Sequence, residues 1–361
     1  MRNFMKEICE HYSTEKNFSG VCMLKIKGET IFEKAYGYAN RGFKIKNQID
    51  TSFDAASVTK AFTAVAILQL AQQGKLKLDD KIVNLIDLEG TKIPKDVTVH
   101  QLLNHTSGIA DDADEEAGED YAALFINSPN YAIRECKDFL KNFAYKEPNF
   151  KAGSNVRYCN CSFILLGIAI EKITGMKYQS YVTEHIFKKM DMRGTGFFSM
   201  DSINENTAEG YVNIINTEDN IIGYKKNIYS YSPIGASDGG AYSTAKDLNK
   251  FLIGIKNCTL LNKKYSNILM DSQCDFCEAK EVYKIPQLCK INGYAFEFFK
   301  ISDKKEPFCI YKDGCNYGAS AMFSYYPEKD ISLVILSNQE CDVWTMRREI
   351  QLELYGKYYS I

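Results

Sequence analysis

Histidine is scarce in this chain of 361 residues: there are four. None lies near a G-x-S-x-G turn, which leaves little from which to build a Ser-His-Asp hydrolase. His105 with Ser107 is the one tempting pair, and it too lies outside such a turn. Long apolar runs are also missing; no stretch approaches the ~20 apolar residues of a membrane span. Met1 to Lys16 mixes charges with apolar side chains and has no continuous hydrophobic region of the kind a secretory signal needs, so the cytoplasm is the expected compartment. The net charge is only −2, which gives no reason to expect nucleic acid or an anionic membrane as a partner. There is no internal repeat and no low-complexity linker. Cysteine, in contrast, is plentiful at twelve, and reduced, packed thiols are expected. Cys274-Asp275-Phe276-Cys277 has zinc or redox spacing, and Cys289, Cys309 and Cys315 follow. No second C-x-x-C and no nearby His completes a four-ligand set, so no metal and no cofactor is expected.

A helix over residues 2–12 is followed by strand patterns at 21–27 and 29–38, with Gly28 at the turn. From about Lys75 to Asn227 the pattern is mostly helical, including 98–103, 162–174 and 178–189. After Gly235 a helix at 244–256 precedes strand-like runs at 293–301, 307–312, 319–326 and 331–337, and a final helix covers 343–357. The expectation is an α+β fold with one antiparallel sheet built from both ends of the chain. Residues 1–74 and 235–361 would form the sheet region, and 75–234 a helical insertion, together making one interleaved unit. Asp111 to Asp120 holds seven carboxylates and no base, the composition of a solvated or mobile loop.

Val58 to Gln72 is apolar on nearly every face, so it reads as a helix buried all round, stopped by Gly74. Ser57 lies at or beside its start, and Lys60 one turn in. A capping box would place Glu or Gln there. A cation meets the positive end of the helix dipole and loses its water, and both effects favour a neutral amine able to take the serine's proton. S-x-x-K also occurs at Ser13, Ser243 and Ser302, but in polar or amphipathic surroundings. Tyr158-Cys159-Asn160 opens another apolar helix and presents a phenol and an amide; flanked by two lysines, the phenol would shuttle a proton near neutrality. Lys312-Asp313-Gly314, ending a strand, suits either a substrate clamp or a polar turn. The backbone N–H groups of Ser57 and Cys315 are candidates for an oxyanion hole.

These segments resemble the serine hydrolase family that includes class C β-lactamases, low-molecular-weight penicillin-binding proteins, D-aminopeptidases and related esterases. Phe53 to Thr63 looks like the nucleophile block. Val97 to Ile109, with His105-Thr106-Ser107-Gly108, and Gly239 to Leu248 are similar to two further blocks, and Tyr311 to Asn338 to the closing hairpin. The blocks run in family order over residues 18–340. The resemblance implies that Ser57 forms an acyl-enzyme, Lys60 assists as base and Tyr158 relays the proton. It also implies that Asn160 contacts a substrate amide and that Lys312, Asp313 and Gly314 line the substrate site.

One departure bears on substrate. Members that recognise β-lactams have Thr where this chain has Asp313; Asp accepts rather than donates and repels a carboxylate. Poor activity on β-lactams is expected, with small esters or D-amino-acid amides as substrates. A true β-lactamase or DD-peptidase, or a catalytically silent binding domain on the same fold, are the alternatives. Cys159, beside Tyr158, is either an oxidation-sensitive neighbour or a packed thiol. A small molecule or short peptide is the expected partner.

Overall fold

Strands from both ends of the chain meet in one eight-stranded sheet in the computed structural model, which describes residues 1–218, 220–278, 288–301 and 306–355. Edge to edge, the order is Glu29–Tyr36, Gly20–Ile26, Ile331–Ser337, Ala319–Tyr326, Cys309–Asn316, Glu297–Ile301, Leu288–Asn292 and Cys277–Glu278. Every neighbouring pair is antiparallel. The N-terminal Gly20–Ile26 strand is thus clamped against the C-terminal Ile331–Ser337 strand, as the pattern implied. Gly28, at φ +81°, turns the first hairpin.

The central strands carry apolar residues on both faces, because each face is covered. Val21, Met23, Phe323, Val334 and Leu336 face one core with the buried helix Thr59–Gln72. Cys22, Leu24, Met322, Leu333 and Ile335 face a second core under the helices Arg2–Glu15 and Val343–Tyr355. Side chains alternate in this way along a strand with period two. Residues Thr59 to Ala71 are all buried, so the helix has no solvent face, and Gly74 ends it at φ +70°.

Between these parts the chain is less regular than its sequence suggests. Asn160–Thr174 is a full helix, whereas the expected 178–189 helix is an α-turn, Tyr178–Val182, continued by a π-helical turn, Thr183–Phe187. A hairpin of Tyr211–Ile215 and Ile221–Lys226 lies in the stretch read as helical. Its period-two pattern is weak because Ile221–Lys226 has no buried residue and the two buried residues of Tyr211–Ile215, Tyr211 and Val212, are adjacent rather than alternating. The run expected as one strand at 293–301 begins only at Glu297.

Candidate active site

Ser57 sits in a 3-10 turn, Ala56–Val58, that feeds the buried helix one residue ahead of its N-cap, Val58. Ala56 is left-handed at φ +45°, a strained conformation for a residue with a Cβ. Its N–H donates to Oδ1 of Asp54 at 2.7 Å, which holds the turn in place. Lys60 is fully buried. Its Nζ lies 3.0 Å from Ser57 Oγ, 2.7 Å from Asn160 Oδ1 and 2.6 Å from the carbonyl of Asp238. All three partners are oxygens: an ammonium donates to each, whereas a neutral amine donates to the two carbonyls and accepts from the serine hydroxyl. Burial, helped by the nearby Lys312 cation and opposed by Asp238, moves the amine below the ordinary lysine range.

The phenol of Tyr158 donates to Ser57 Oγ at 2.8 Å. Lys60 and Lys312 flank its ring, with Nζ atoms 5.0 Å and 5.1 Å from the centroid. The expectation that they bring the phenol toward neutrality is not met. Burial, then the Glu115 carboxylate, push it well above its usual value, against the hydrogen bond to Ser57. Tyr158 is therefore a neutral phenol that donates. Behind it stacks His105, centroids 4.6 Å apart. Burial, and then Lys312 and Lys60, hold this imidazole far below its usual range, so it adds no third cation. Its Nδ1 accepts from the Cys159 N–H at 3.2 Å. Ser107 bonds Ser162, not His105, which agrees with a structural role for the pair.

The acidic stretch is not simply a solvated loop. Asp111 and Asp112 are buried. Asp111 caps the Asn160–Thr174 helix by accepting from the N–H groups of Asn160 and Cys161, at 2.8 and 2.9 Å. Asp111, Asp112 and the Cys161 thiol lie within 4.8 Å of one another, but both oxygens of Asp111 are thus spent on the helix. Further along, Glu115 accepts from Asn160 Nδ2 at 2.9 Å, Asp114 pairs with Arg157 at 2.7 Å, and Asp120 accepts from Tyr317. Composition showed the charge density; the backbone donors and the Arg157 side chain that absorb it are distant in sequence.

Lys312 is buried and bonded to two carboxylates, Asp313 at 3.2 Å and Glu297 at 3.5 Å. Burial works against its charge, but Asp313 and then Glu297 outweigh this and raise its pKa. Asp313 Oδ2 accepts from Trp344 Nε1 at 2.6 Å. The carboxylate expected to confront a substrate is therefore engaged on both oxygens, one of them by the helix on the far side of the sheet. Gly314 serves close approach: a Cβ there would lie 2.6 Å from the Ser57 nitrogen. That contact sets the Cys315 backbone beside the Ser57 turn.

A cavity of about 340 Å³ opens over Ser57. Asn160, Asp238, Gly239, Gly240 and Cys315–Tyr317 form its walls, with the carboxylates of Glu115, Glu119, Asp120 and Glu340. Lys312, Asp313 and Gly314 are not among its lining residues; Lys312 Nζ lies 5.1 Å from the centroid of the Tyr158 ring. No Lys, Arg or His is among its lining residues. Sequence reading missed Asp238, Glu297 and Trp344, and it marked Glu115 only as part of the acidic stretch 111–120. The position of Asp238 directly before Gly239-Gly240, in a segment already singled out, was the one available signal.

Elsewhere, Ser243 bonds Thr195, while Lys246 faces Glu33, so that S-x-x-K pair does not assemble; Ser302 lies outside the described residues. Cys159 is a buried free thiol, pushed well above its usual pKa by burial, which fits packing better than oxidation sensing. Cys274 is a free, half-buried thiol, and the Cys277 side chain lies outside the described residues. Cys289 is in a disulfide, so the expectation of reduced thiols fails there. Among the described residues no helix is long and apolar enough to cross a membrane.

A family model described as "Beta-lactamase" matches residues 5–354. This chain belongs to the β-lactamase family. At the level of the family, that is a serine hydrolase, as the sequence blocks implied. Over 208 residues it is 31% identical to "Protein flp" of Staphylococcus aureus (strain MW2), a match covering 56% of this chain and 40% of that protein. It is 28% identical over 263 residues to "Penicillin-binding protein 4*" of Bacillus subtilis (strain 168), covering 69% of this chain and 55% of the relative. The chain thus spans about half the length of the curated relatives it matches. Among solved structures, a penicillin-binding protein from Bacillus halodurans superposes with a TM-score of 0.86 at 30% identity, covering 97% of this chain and 99% of that one. A D-amino acid amidase from Ochrobactrum anthropi SV3 superposes at 0.76 with 18% identity, covering 99% and 100%, a likeness of fold.

Proposed function

We propose that this chain is a serine hydrolase that works through an acyl-enzyme at Ser57 on small esters or amides, prefers substrates bearing an amine, and is poor on β-lactams. The observation that carries the reading is the pair of contacts on Ser57 Oγ: the Lys60 amine at 3.0 Å and the Tyr158 phenol at 2.8 Å. Lys60 takes the serine's proton as Oγ attacks the carbonyl carbon. Tyr158, a donor in hydrogen-bond contact with Oγ, passes a proton to the leaving group, and the proton that Lys60 took from the serine goes back to the phenolate, so both groups are restored. The N–H groups of Ser57 and Cys315 receive the oxyanion. Two lysines with pKa values pushed apart suit this division, a neutral base beside a permanent cation.

The substrate preference follows from charge. Lys312 would be the natural partner for a carboxylate, but Glu297 and Asp313 already neutralise it. The cavity carries carboxylates and no lining cation, so it attracts an ammonium group and repels the carboxylate of a penicillin. The test is a panel of a neutral ester, a D-amino-acid amide and a penicillin. The predicted order is amide and ester well above penicillin, with all activity lost in Ser57→Ala; a penicillin turned over faster than the ester contradicts it.

A further inference from the structure

Acylation as described uses the Asp238 backbone carbonyl but leaves its carboxylate without a task. Asp238 lines the same cavity as Ser57 and lies on a turn pinned from both sides. Its carbonyl accepts from Lys60 Nζ at 2.6 Å, and the preceding carbonyl, of Ser237, accepts from Thr63 at 2.6 Å. Ala236 and Gly239 close the turn through a backbone hydrogen bond at 2.9 Å. The other carboxylates on the wall are engaged: Glu115 by Asn160, Glu119 by the Asp114 N–H, Asp120 by Tyr317 and Glu340 by the Asn213 backbone. Among the described residues, no side chain or backbone group beyond its own N–H hydrogen-bonds the Asp238 carboxylate. Gly239 and Gly240, which follow it and line the same cavity, add no side chain to that wall. A fixed, unspent carboxylate beside the nucleophile, facing a cavity with room for water, is the arrangement of a general base.

We propose that Asp238 is the general base of deacylation, taking a proton from a cavity water as that water's oxygen attacks the carbonyl carbon of the Ser57 ester. The new carbon–oxygen bond forms from water, and the bond from carbon to Oγ breaks as the tetrahedral intermediate collapses. The proton held by Asp238 returns to Oγ by way of the Lys60 amine, which contacts Oγ at 3.0 Å, so the acid product leaves and serine, amine and carboxylate are restored. Lys60 and Tyr158 approach Oγ itself, whereas Asp238 borders the cavity from which water comes. Burial supports the assignment by raising the carboxyl to about 6, against the pull of Lys60. The titratable groups that interact with Asp238 are Lys60 of the buried helix, Asp111, Asp112 and Glu115 of the acidic stretch, and Tyr121, Tyr178 and Cys136.

The inference rests on the acyl-enzyme reading, and p-nitrophenyl acetate separates the two. Asp238→Asn is expected to release one equivalent of p-nitrophenol in a burst, then turn over at least about 100-fold more slowly than wild type, as loss of a general base entails. An acetyl adduct should accumulate on the Ser57 peptide. Wild-type turnover by Asp238→Asn without a burst, or a burst rate that falls in parallel with turnover, overturns the proposal. Absence of any Ser57 adduct while hydrolysis continues overturns the acyl-enzyme reading instead. In the wild type, deacylation should rise with pH through an apparent pKa near 6, and a flat profile across that range contradicts the assignment even if the variant does not fold. Asp238→Ser should reproduce the accumulation.

Discussion

The indole N–H of Trp344 donates to Asp313 at 2.6 Å, tying the residue beside Lys312 to the helix on the far side of the sheet. Asp313 is thereby a partner of Lys312 rather than a wall of the cavity. The effect of residue 313 on substrate choice then runs through the charge on Lys312. Asp313→Asn and Asp313→Thr should raise acylation by a penicillin to a similar degree, about tenfold for an interaction of about 1.4 kcal/mol. Equal penicillin acylation rates in wild type and both variants would remove residue 313 from the account; a gain with Thr alone would mean that its hydroxyl touches the ligand.

Lys60 sets the pH dependence of the first step. Its pKa is lowered, chiefly by burial, so the amine becomes a base below the ordinary lysine range and acylation rises with pH as it loses its proton. Lys60→Gln should remove that limb and slow acylation by about 10²–10⁴-fold, the usual contribution of a general base. Stopped-flow acylation rates across pH check both points, and an unchanged limb in the variant assigns it to another group.

Glu297 joins the strand Glu297–Ile301 to Lys312 and Lys290. Burial alone would raise its pKa, but Lys290 and Lys312 outweigh this and lower it to about 2. A depressed folded-state pKa contributes stability that is present above the ordinary carboxylate range and lost as pH falls through it toward about 2. Glu297→Gln should therefore cost about 3 kcal/mol at neutral pH, the scale for breaking a buried ion pair. It should also flatten the acid limb of the stability profile. Urea melts at several pH values measure both; equal midpoints for variant and wild type at neutral pH contradict the ion-pair role.

Gly314 is the contact on which the placing of the nucleophile turn depends. A Cβ at that residue would sit 2.6 Å from the Ser57 nitrogen and 2.8 Å from the Ala55 oxygen. Gly314→Ala should displace the turn at a cost of about 1–3 kcal/mol and lower turnover far more than it lowers the melting temperature. Wild-type turnover in a well-folded Gly314→Ala would show that the strand and turn have slack.

The parts legible in the sequence are those whose signal is local. The Thr59–Gln72 helix announces itself because it is apolar on all sides, and Lys60 stands out against that background. The two-sided burial of Ile331–Ser337 and Ala319–Tyr326 writes itself as apolar runs broken only by small serines. The charge partners were not legible. Glu297 neutralises Lys312 across adjacent strands, Asp111 caps a helix that starts 49 residues later, and Trp344 reaches Asp313 from the other face of the sheet. Such pairings depend on register and topology, which composition does not carry. The Tyr158 phenol was misjudged for the same reason: its two lysines were foreseen, but not its burial or the Glu115 carboxylate.

The central claim is that Ser57 is a nucleophile activated by its two neighbours. Labelling with a fluorophosphonate followed by peptide mapping tests it most directly. The account predicts a single adduct, on the Ser57 peptide, absent in Ser57→Ala and slowed in Lys60→Gln. A folded wild-type protein that takes no label, or one labelled elsewhere and unaffected by Ser57→Ala, contradicts it.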